Sequence, residues 1–283
     1  MKSSVIRSIR MTFLSLTILL GAFILNIFVI SPLSHATAQN TLRNAFDTQV
    51  SLATAPTSEK DYLGHLLPNG APVALIDIPK LHLSEVVVEG TDANTLRSGV
   101  GHRRDTVLPG QEGITVLFGR AWSYGGPFGG LGNLHKGDTI VSYTGQGKAT
   151  YVVTGVRHAG DTGLAPVKAG TSTMVLTSAE GSFYTPSRVV RVDAQLQGTA
   201  FDSGARVTKW AHISAESREL AVDTSGAWLL ALALVLLVLV EIAGLWAVRR
   251  FGAAKTWLVF TPLLAFTLLI TVEQATRLLP NLL

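Results

Sequence analysis

The sequence predicts an all-β barrel domain attached to a membrane by three transmembrane helices. The first observation is a hydrophobic share of 47% over 283 residues, with the excess concentrated in three long apolar runs. The second is a region of short β-rich runs, punctuated by Gly and Pro, between the first and second of these runs. Such runs without helical periodicity between them are typical of a closed or nearly closed antiparallel barrel.

The three apolar runs are predicted to span a lipid bilayer at residues 11–30, 227–248 and 257–279. Each has about 20 residues, which at about 1.5 Å per residue crosses a hydrocarbon core of about 30 Å. Basic residues in the short flanks predict that residues 1–10 and 249–256 are cytoplasmic. These residues are Lys2, Arg7, Arg10, Arg249, Arg250 and Lys255.

This topology predicts a multi-pass protein of the cell membrane with residues 31–226 outside. An alternative is a signal peptide cut after Ala36-Thr37-Ala38, whose small residues suit a signal peptidase. The length of the first run favours a retained anchor.

The outer region divides into three parts. Residues 31–70 are predicted to be a stalk with a lead-in helix at Thr41–Leu52. Residues 71–198 carry the β-rich runs and are the predicted barrel. Residues 199–226 are polar, show no strand pattern and are predicted to be a connector to the second span.

Composition excludes several classes of function. The net charge of +4 is spread thinly, and no basic stripe interleaved with aromatic residues indicates a nucleic-acid partner. The chain has no cysteine, which excludes disulfides, thiolate catalysis and cysteine-based zinc sites. We expect no metal and no cofactor.

Several motifs appear in a specific order between Leu75 and Leu196. They are IPK, VEGTD, GVGH followed by a Thr and LPG, F-x-x-L before KGD, Y-x-V, and an Arg opening the last strand. Together they resemble the sortase family, in particular the housekeeping-like class E sortases of high-GC Gram-positive bacteria. The resemblance implies an eight-stranded barrel and a membrane-anchored cysteine transpeptidase. Such an enzyme cuts a sorting signal of LPxTG type and joins it to an amine, using Cys, His and Arg side chains.

This sequence departs from the family at two of those three positions. Arg120 in VLFGRA stands in the His position, and Ser178 in LTSA replaces the Cys beside Thr177. Arg188 in SRVV matches the family's arginine. A serine hydroxyl needs an adjacent base, and a guanidinium stays protonated and cannot be that base. We therefore expect no transpeptidation by the family mechanism.

The surviving side chains suggest a binding groove instead. Arg120 and Arg188, with the hydroxyls of Thr177 and Ser178, are predicted to bind an anionic group such as a peptide C-terminus or a cell-wall fragment. The alternative is that Arg120 extends to solvent.

Other residues are assigned to the same groove or to the barrel around it. Trp122, Tyr124 and Phe128, in the Gly-rich run WSYGGPFGGLG, are predicted to border the groove and contact a peptide or glycan. His102, in GVGH, matches a family histidine outside the triad. It is predicted to lie on the barrel as part of the binding groove rather than bonded to Ser178, and a dyad of Ser178 and His102 is the alternative.

Glu241 lies within the second predicted span, where an acidic side chain is costly and indicates a function. We predict that it bonds a polar residue of the first span or of a membrane protein partner. The alternative is that Glu241 lies close enough to the interface to be hydrated.

Three functions remain open. The first is a non-catalytic sortase-like protein that binds a sorting-signal-like peptide or a cell-wall or envelope component and supports assembly at the cell surface. The second is a divergent transpeptidase or hydrolase that uses Ser178. The third is a membrane scaffold that works through its additional spans.

Overall fold

The computed structural model describes residues 17–164, 166–182, 185–204 and 206–283. The chain forms two compact units. One contains the residues before Pro32 together with Asp223–Leu279, and the other contains Pro32–Val222 together with Pro280–Leu283. The predicted cytoplasmic segment 1–10 and the first part of the predicted span 11–30 lie outside the described residues.

The second unit is a closed eight-stranded barrel, which confirms the predicted fold class. Its strand order around the barrel is β1-β2-β3-β4-β7-β8-β6-β5, and β5 pairs with β1 to close it. The strands are β1 (Pro72–Ile78), β2 (Leu83–Glu89), β3 (Val100–His102), β4 (Gly113–Phe118), β5 (Thr139–Thr144), β6 (Gly147–Arg157), β7 (Ser172–Ser182) and β8 (Thr185–Gln197).

The expectation of a purely antiparallel barrel was wrong for two strand pairs. β2 pairs with β3, and β4 pairs with β7, in parallel. The β4–β7 connection is long because β5 and β6 are inserted into it, as a parallel pair requires a crossover. This pairing places the end of β4 beside Thr177 in β7.

Apolar side chains on the inner faces of the strands fill the barrel. This inner cluster includes Leu117 of β4, Leu176 of β7 and Val190 of β8, all at most 5% exposed. A second cluster covers the outer face of β4, β7 and β8, and includes Phe118, Val175, Ala179 and Val189. β7 therefore has buried residues on both faces.

Among the described residues, three helices are long and apolar enough to cross a membrane. They are α1 (Thr17–Ser51), which includes a π-helical turn at Asn26–Ile30, α2 (Ala227–Phe251) and α3 (Ala253–Arg277). The predicted lead-in helix Thr41–Leu52 falls almost entirely within α1, whose last residue is Ser51.

The later part of α1 packs on the barrel. The Gln39 side chain accepts a hydrogen bond from the Val86 backbone N–H at 2.8 Å and donates one to the Ser98 carbonyl at 2.7 Å. His35 contacts the Glu85 carboxylate at 2.8 Å. This part of the predicted stalk is therefore attached to β2 rather than separate from the barrel.

The segment that follows β8 also lies on the barrel. The Phe201 N–H donates to the Gly110 carbonyl at 2.8 Å. Further along, Glu59 accepts hydrogen bonds from the backbone N–H groups of Val207 and Thr208 at 2.5 and 3.1 Å. The predicted connector is thus held against the barrel at several points.

Candidate functional site

The parallel pairing of β4 and β7 brings together the two segments in which the sequence places the altered catalytic positions. Phe118 is in register with Thr177. The Gly119 N–H donates to the Thr177 carbonyl at 3.1 Å. A side chain at position 119 would collide with the Phe128 ring, because an added Cβ would lie 2.5 Å from it. Glycine at this position therefore leaves room for the Phe128 ring.

Ser178 faces the interior of the barrel. It is in register with Val190 and lies two residues from Leu176, both of the inner cluster. Its side chain is fully buried, and its hydroxyl donates to the Gly119 carbonyl at 2.9 Å. The expectation that this hydroxyl lines a groove is corrected, because strand alternation turns it away from the outer surface.

Thr177 and Ala179 occupy the outer face instead. Ala179 is in register with Val189 and belongs to the outer cluster, as does Phe118. The Thr177 hydroxyl is buried and has no hydrogen-bond partner among the described residues. Ala179 was not singled out from the sequence, yet its side chain shares the outer face with Phe118.

Arg120 is fully buried, which corrects both interpretations of it from the sequence. Its Nε donates to the Leu96 carbonyl at 3.2 Å, and one terminal nitrogen donates to the Ala93 carbonyl at 2.6 Å. The other donates to the Ser123 hydroxyl at 3.0 Å. Burial lowers the pKa of Arg120 to about 10. The guanidinium binds backbone carbonyls of its own domain rather than an open groove or solvent.

Arg188 is exposed and lies on the other face from Ala179. It is in register with Glu180, which shares the parity of Ser178 along β7. Arg120, in contrast, contacts the Leu96 carbonyl, and Leu96 belongs to the outer cluster. The predicted pairing of the two guanidinium groups in one anion site is therefore corrected by the strand register.

The residues predicted to border the groove are mostly buried. Phe128 is 1% exposed and belongs to the inner cluster. Tyr124 is also 1% exposed, and the guanidinium of Arg120 lies 5.0 Å from the centre of its ring. Trp122 is partly buried and packs against the outer cluster. These aromatic side chains support the loop after β4, and the prediction that they form an open groove wall is corrected for Tyr124 and Phe128.

His102 is part of a buried polar pair inside the barrel. Its Nδ1 contacts the Glu89 carboxylate at 2.8 Å, and its Nε2 contacts the Val107 carbonyl at 2.9 Å. Both side chains are at most 1% exposed. His102 is bonded to Glu89 rather than to Ser178, as the sequence led us to expect. The prediction that it is part of the binding groove is wrong, because its side chain is buried inside the barrel.

The segment Pro280–Leu283 covers the outer face. Leu282 is fully buried and belongs to the same cluster as Phe118 and Ala179. The backbone N–H groups of Ala121 and Ser123 donate to the carbonyl oxygens of Leu282 and Leu283 at 2.9 and 3.0 Å. This segment was not predicted from the sequence, although a Leu-Leu pair after a Pro-Asn turn signal could have suggested it.

A shallow pocket remains beside this covered surface. It is lined by Arg103, Phe118, Trp210, Arg218 and Glu219. The guanidinium groups of Arg103 and Arg218 lie 5.1 and 5.5 Å from the Trp210 ring centre. Glu219 forms an ion pair with Arg191, an outer-face residue of β8. The arginines that line this pocket beside the outer face are thus Arg103 and Arg218 rather than Arg120 and Arg188.

Glu241 of α2 is half-buried. Glu273 and Arg277 of α3 form an ion pair at 3.5 Å. The predicted partner of Glu241 stays a prediction. Among the described residues, no group of three or more His, Asp or Glu side chains could hold a metal ion.

The fold defines a class of protein: a closed eight-stranded barrel in which the parallel strands β4 and β7 lie side by side. Residues 76–196 match the family model described as Sortase domain. The barrel is therefore similar to a sortase domain.

Individual relatives agree with this assignment. Sortase D of Bacillus subtilis (strain 168) is 32% identical over 111 residues, which are 38% of this chain and 54% of that protein. The chain thus spans about half the length of this relative.

Solved structures with similarity include a Clostridium perfringens sortase D5 transpeptidase. It is 21% identical, with 58% of this chain and 99% of that chain covered and a TM-score of 0.46. Sortase E of Streptomyces avermitilis is 29% identical, with 47% and 91% covered and a TM-score of 0.40.

Proposed function

We propose that this protein is a membrane-anchored sortase-domain protein that binds a peptide at the cell surface without cleaving it. Its barrel faces the outside of the cell, three helices anchor it, and residues 1–10 and 249–256 are cytoplasmic. The ligand is a sorting-signal-like peptide or another envelope component, and the protein supports assembly at the envelope. A membrane protein partner contacts the helices through Glu241.

The family mechanism needs a nucleophile and a base that transfers protons, and this proposal rests on the replacement of both. The chain has no cysteine. Arg120 occupies the His position and is buried against the carbonyls of Ala93 and Leu96. The hydroxyl of Ser178 is engaged by Gly119 inside the barrel. Nucleophilic catalysis requires an exposed nucleophile within reach of a base, and this arrangement supports neither.

The peptide-binding part of the proposal is supported by the outer face. Backbone N–H groups of Ala121 and Ser123 donate hydrogen bonds to a peptide segment there, namely to the carbonyls of residues 282 and 283. Main-chain hydrogen bonds combined with an apolar side-chain pocket are a recurring mode of peptide recognition. Arg218 and Arg103, the latter paired with Asp105, lie beside this surface.

The test uses the full chain in lipid nanodiscs with a panel of LPxTG-type peptides and envelope fragments. Cleavage is followed by mass spectrometry and binding by fluorescence anisotropy. We expect binding without cleavage, and we expect Ser178→Ala to bind as the natural chain does. Cleavage that disappears in Ser178→Ala would overturn the proposal in favour of a serine-dependent enzyme. Absence of both binding and cleavage would overturn the binding function.

A further inference from the structure

The segment Pro280–Leu283 is attached to the barrel by specific contacts. It forms a turn closed by a hydrogen bond from the Leu283 N–H to the Pro280 carbonyl at 3.0 Å. These four residues belong to the barrel unit, whereas α3 before them belongs to the helical unit. Four residues that follow the third apolar helix in sequence are therefore part of the barrel unit.

Asn281 provides the polar recognition in this segment. Its side-chain amide donates to the carbonyls of Thr91 and Arg218 at 2.9 and 2.7 Å, and its backbone N–H donates to the Ala221 carbonyl at 2.9 Å. Both amide hydrogens are thus used. An aspartate would place oxygens against these carbonyls, so the site selects an amide at this position.

Leu282 and Leu283 provide the apolar and backbone contacts. Leu282 is 0% exposed and lies in the outer cluster. The Leu283 carbonyl oxygen accepts from both the backbone N–H and the hydroxyl of Ser123, at 3.0 and 2.6 Å. Since Ser123 also accepts from Arg120, a chain of hydrogen bonds links the segment to the residue in the former His position.

The fit is specific but incomplete. Within the part of the chain that the structure describes, the buried Asn281 side-chain oxygen has no hydrogen-bond partner, and the same holds for the Thr177 hydroxyl on the outer face of β7. Buried polar atoms that lack a partner reduce the stability of an interface. A ligand that supplies these missing partners would compete with the segment for the surface.

We propose that residues 280–283 are an internal ligand that occupies the peptide site of this sortase domain until an external peptide displaces it. The external ligand has an asparagine followed by two aliphatic residues in a turn, and its amide donates to the carbonyls of Thr91 and Arg218. This inference rests on the proposed peptide-binding function and names the chemistry of its ligand. Displacement exposes Ala179 and Phe118.

The first experiment measures binding of a fluorescent peptide with the sequence of residues 277–283 to the full chain in nanodiscs. The comparison is a variant that lacks residues 280–283. We expect the shortened variant to bind at least tenfold more tightly, because its site is empty. A peptide with alanine in place of the asparagine should lose at least tenfold in affinity. Equal binding by both proteins would overturn the inference.

A second experiment keeps the segment in place, so that it does not depend on the folding of the shortened variant. The cysteine-free chain allows Ser123→Cys and Leu283→Cys to be joined by oxidation and separated by reduction. We expect the cross-linked double variant to exclude a competing peptide and the reduced form to regain binding. The two single variants, treated identically, are the controls. Failure to form the intramolecular cross-link, or peptide binding unaffected by it, would contradict the proposal.

The two proposals fail in different ways. If LPxTG-type peptides bind the full chain and the shortened variant equally, the proposed function stands and the internal ligand is refuted. If only the peptide of residues 277–283 binds, and only to the shortened variant, the internal ligand stands and recognition of sorting signals is refuted.

Discussion

Near the end of β4, buried polar side chains are hydrogen-bonded in different ways on the inner and outer faces of the barrel. On the inner side, His102 and Glu89 are bonded to one another in the interior. On the outer side, the described hydrogen bonds of Arg120 go to two carbonyls and a hydroxyl. The inner pair is a closed structural unit, whereas the outer arginine is connected to a segment of the chain far away in sequence.

The resemblance to sortases predicts a catalytic histidine at position 120, and such a histidine would need access to the substrate in order to exchange protons. Arg120 instead holds the Ala93–Leu96 loop and, through Ser123, the segment 280–283. The arginine at this position thus attaches neighbouring chain segments.

The largest effect is expected from breaking the inner pair. His102→Ala leaves the buried Glu89 side chain without its hydrogen-bond partner and opens a cavity, which together cost about 3–5 kcal/mol. Pulse proteolysis of the full chain in urea measures the change in the free energy of unfolding of the barrel. His135→Ala is the control, because His135 is exposed, and should change this free energy by less than about 0.5 kcal/mol. An equally small change for His102→Ala would show that the pair is not structural.

A somewhat smaller loss is expected on the outer side. Arg120→Ala removes three hydrogen bonds and leaves a cavity, but it also removes the cost of burying a charge. The net loss in the free energy of unfolding is about 3 kcal/mol. Because the link through Ser123 is also lost, the same variant should bind the 277–283 peptide more readily than the natural chain. Arg188→Ala, at an exposed position, is the matched control and should be neutral. Unchanged stability in Arg120→Ala would show that the buried guanidinium contributes nothing net.

The two faces of β7 can be distinguished by single cysteines in this cysteine-free chain. Ala179→Cys places a thiol beneath residues 280–283, and Ser178→Cys places one inside the barrel. We expect maleimide to label Ala179→Cys at least tenfold faster when residues 280–283 are removed. A tenfold change corresponds to about 1.4 kcal/mol in the free energy needed to expose the thiol. Ser178→Cys should remain unlabelled in both backgrounds. Rapid labelling of Ser178→Cys would mean that the assignment of faces is wrong.

The smallest effect concerns the tether of the connector at Glu59. Burial raises the pKa of Glu59, but the hydrogen bonds from Val207 and Thr208 outweigh it and lower that pKa below its ordinary value of 4.5. The ionised Glu59 carboxylate therefore stabilises the folded state above pH 4.5, and this stabilisation is lost as the pH falls through the lower pKa of the folded state. Glu59→Gln, which has one acceptor oxygen, should be about 1 kcal/mol less stable at neutral pH.

Urea unfolding between pH 3 and 7 tests this expectation. The difference between Glu59→Gln and the natural chain should shrink as the pH falls below about 4.5. A difference that does not vary with pH would contradict the role of the Glu59 carboxylate.

The sequence by itself determined the broad organisation of the protein. Long apolar runs need no tertiary information, because a length of about 20 apolar residues already matches a bilayer. The β-rich runs and the ordered motifs between Leu75 and Leu196 predicted the barrel. The absence of cysteine, which removes the family's nucleophile, is a property of composition alone.

Only the tertiary structure decided which face each site residue occupies. Ser172–Ala179 of β7 is buried on both faces, so its sequence carries no alternation from which the orientation of Ser178 or Ala179 could be assigned. Arg120 is buried because the carbonyls of Ala93 and Leu96 come within reach of it in the fold. Residues 280–283 meet Ser123 across 160 positions of sequence, and local patterns do not encode a contact between segments so far apart.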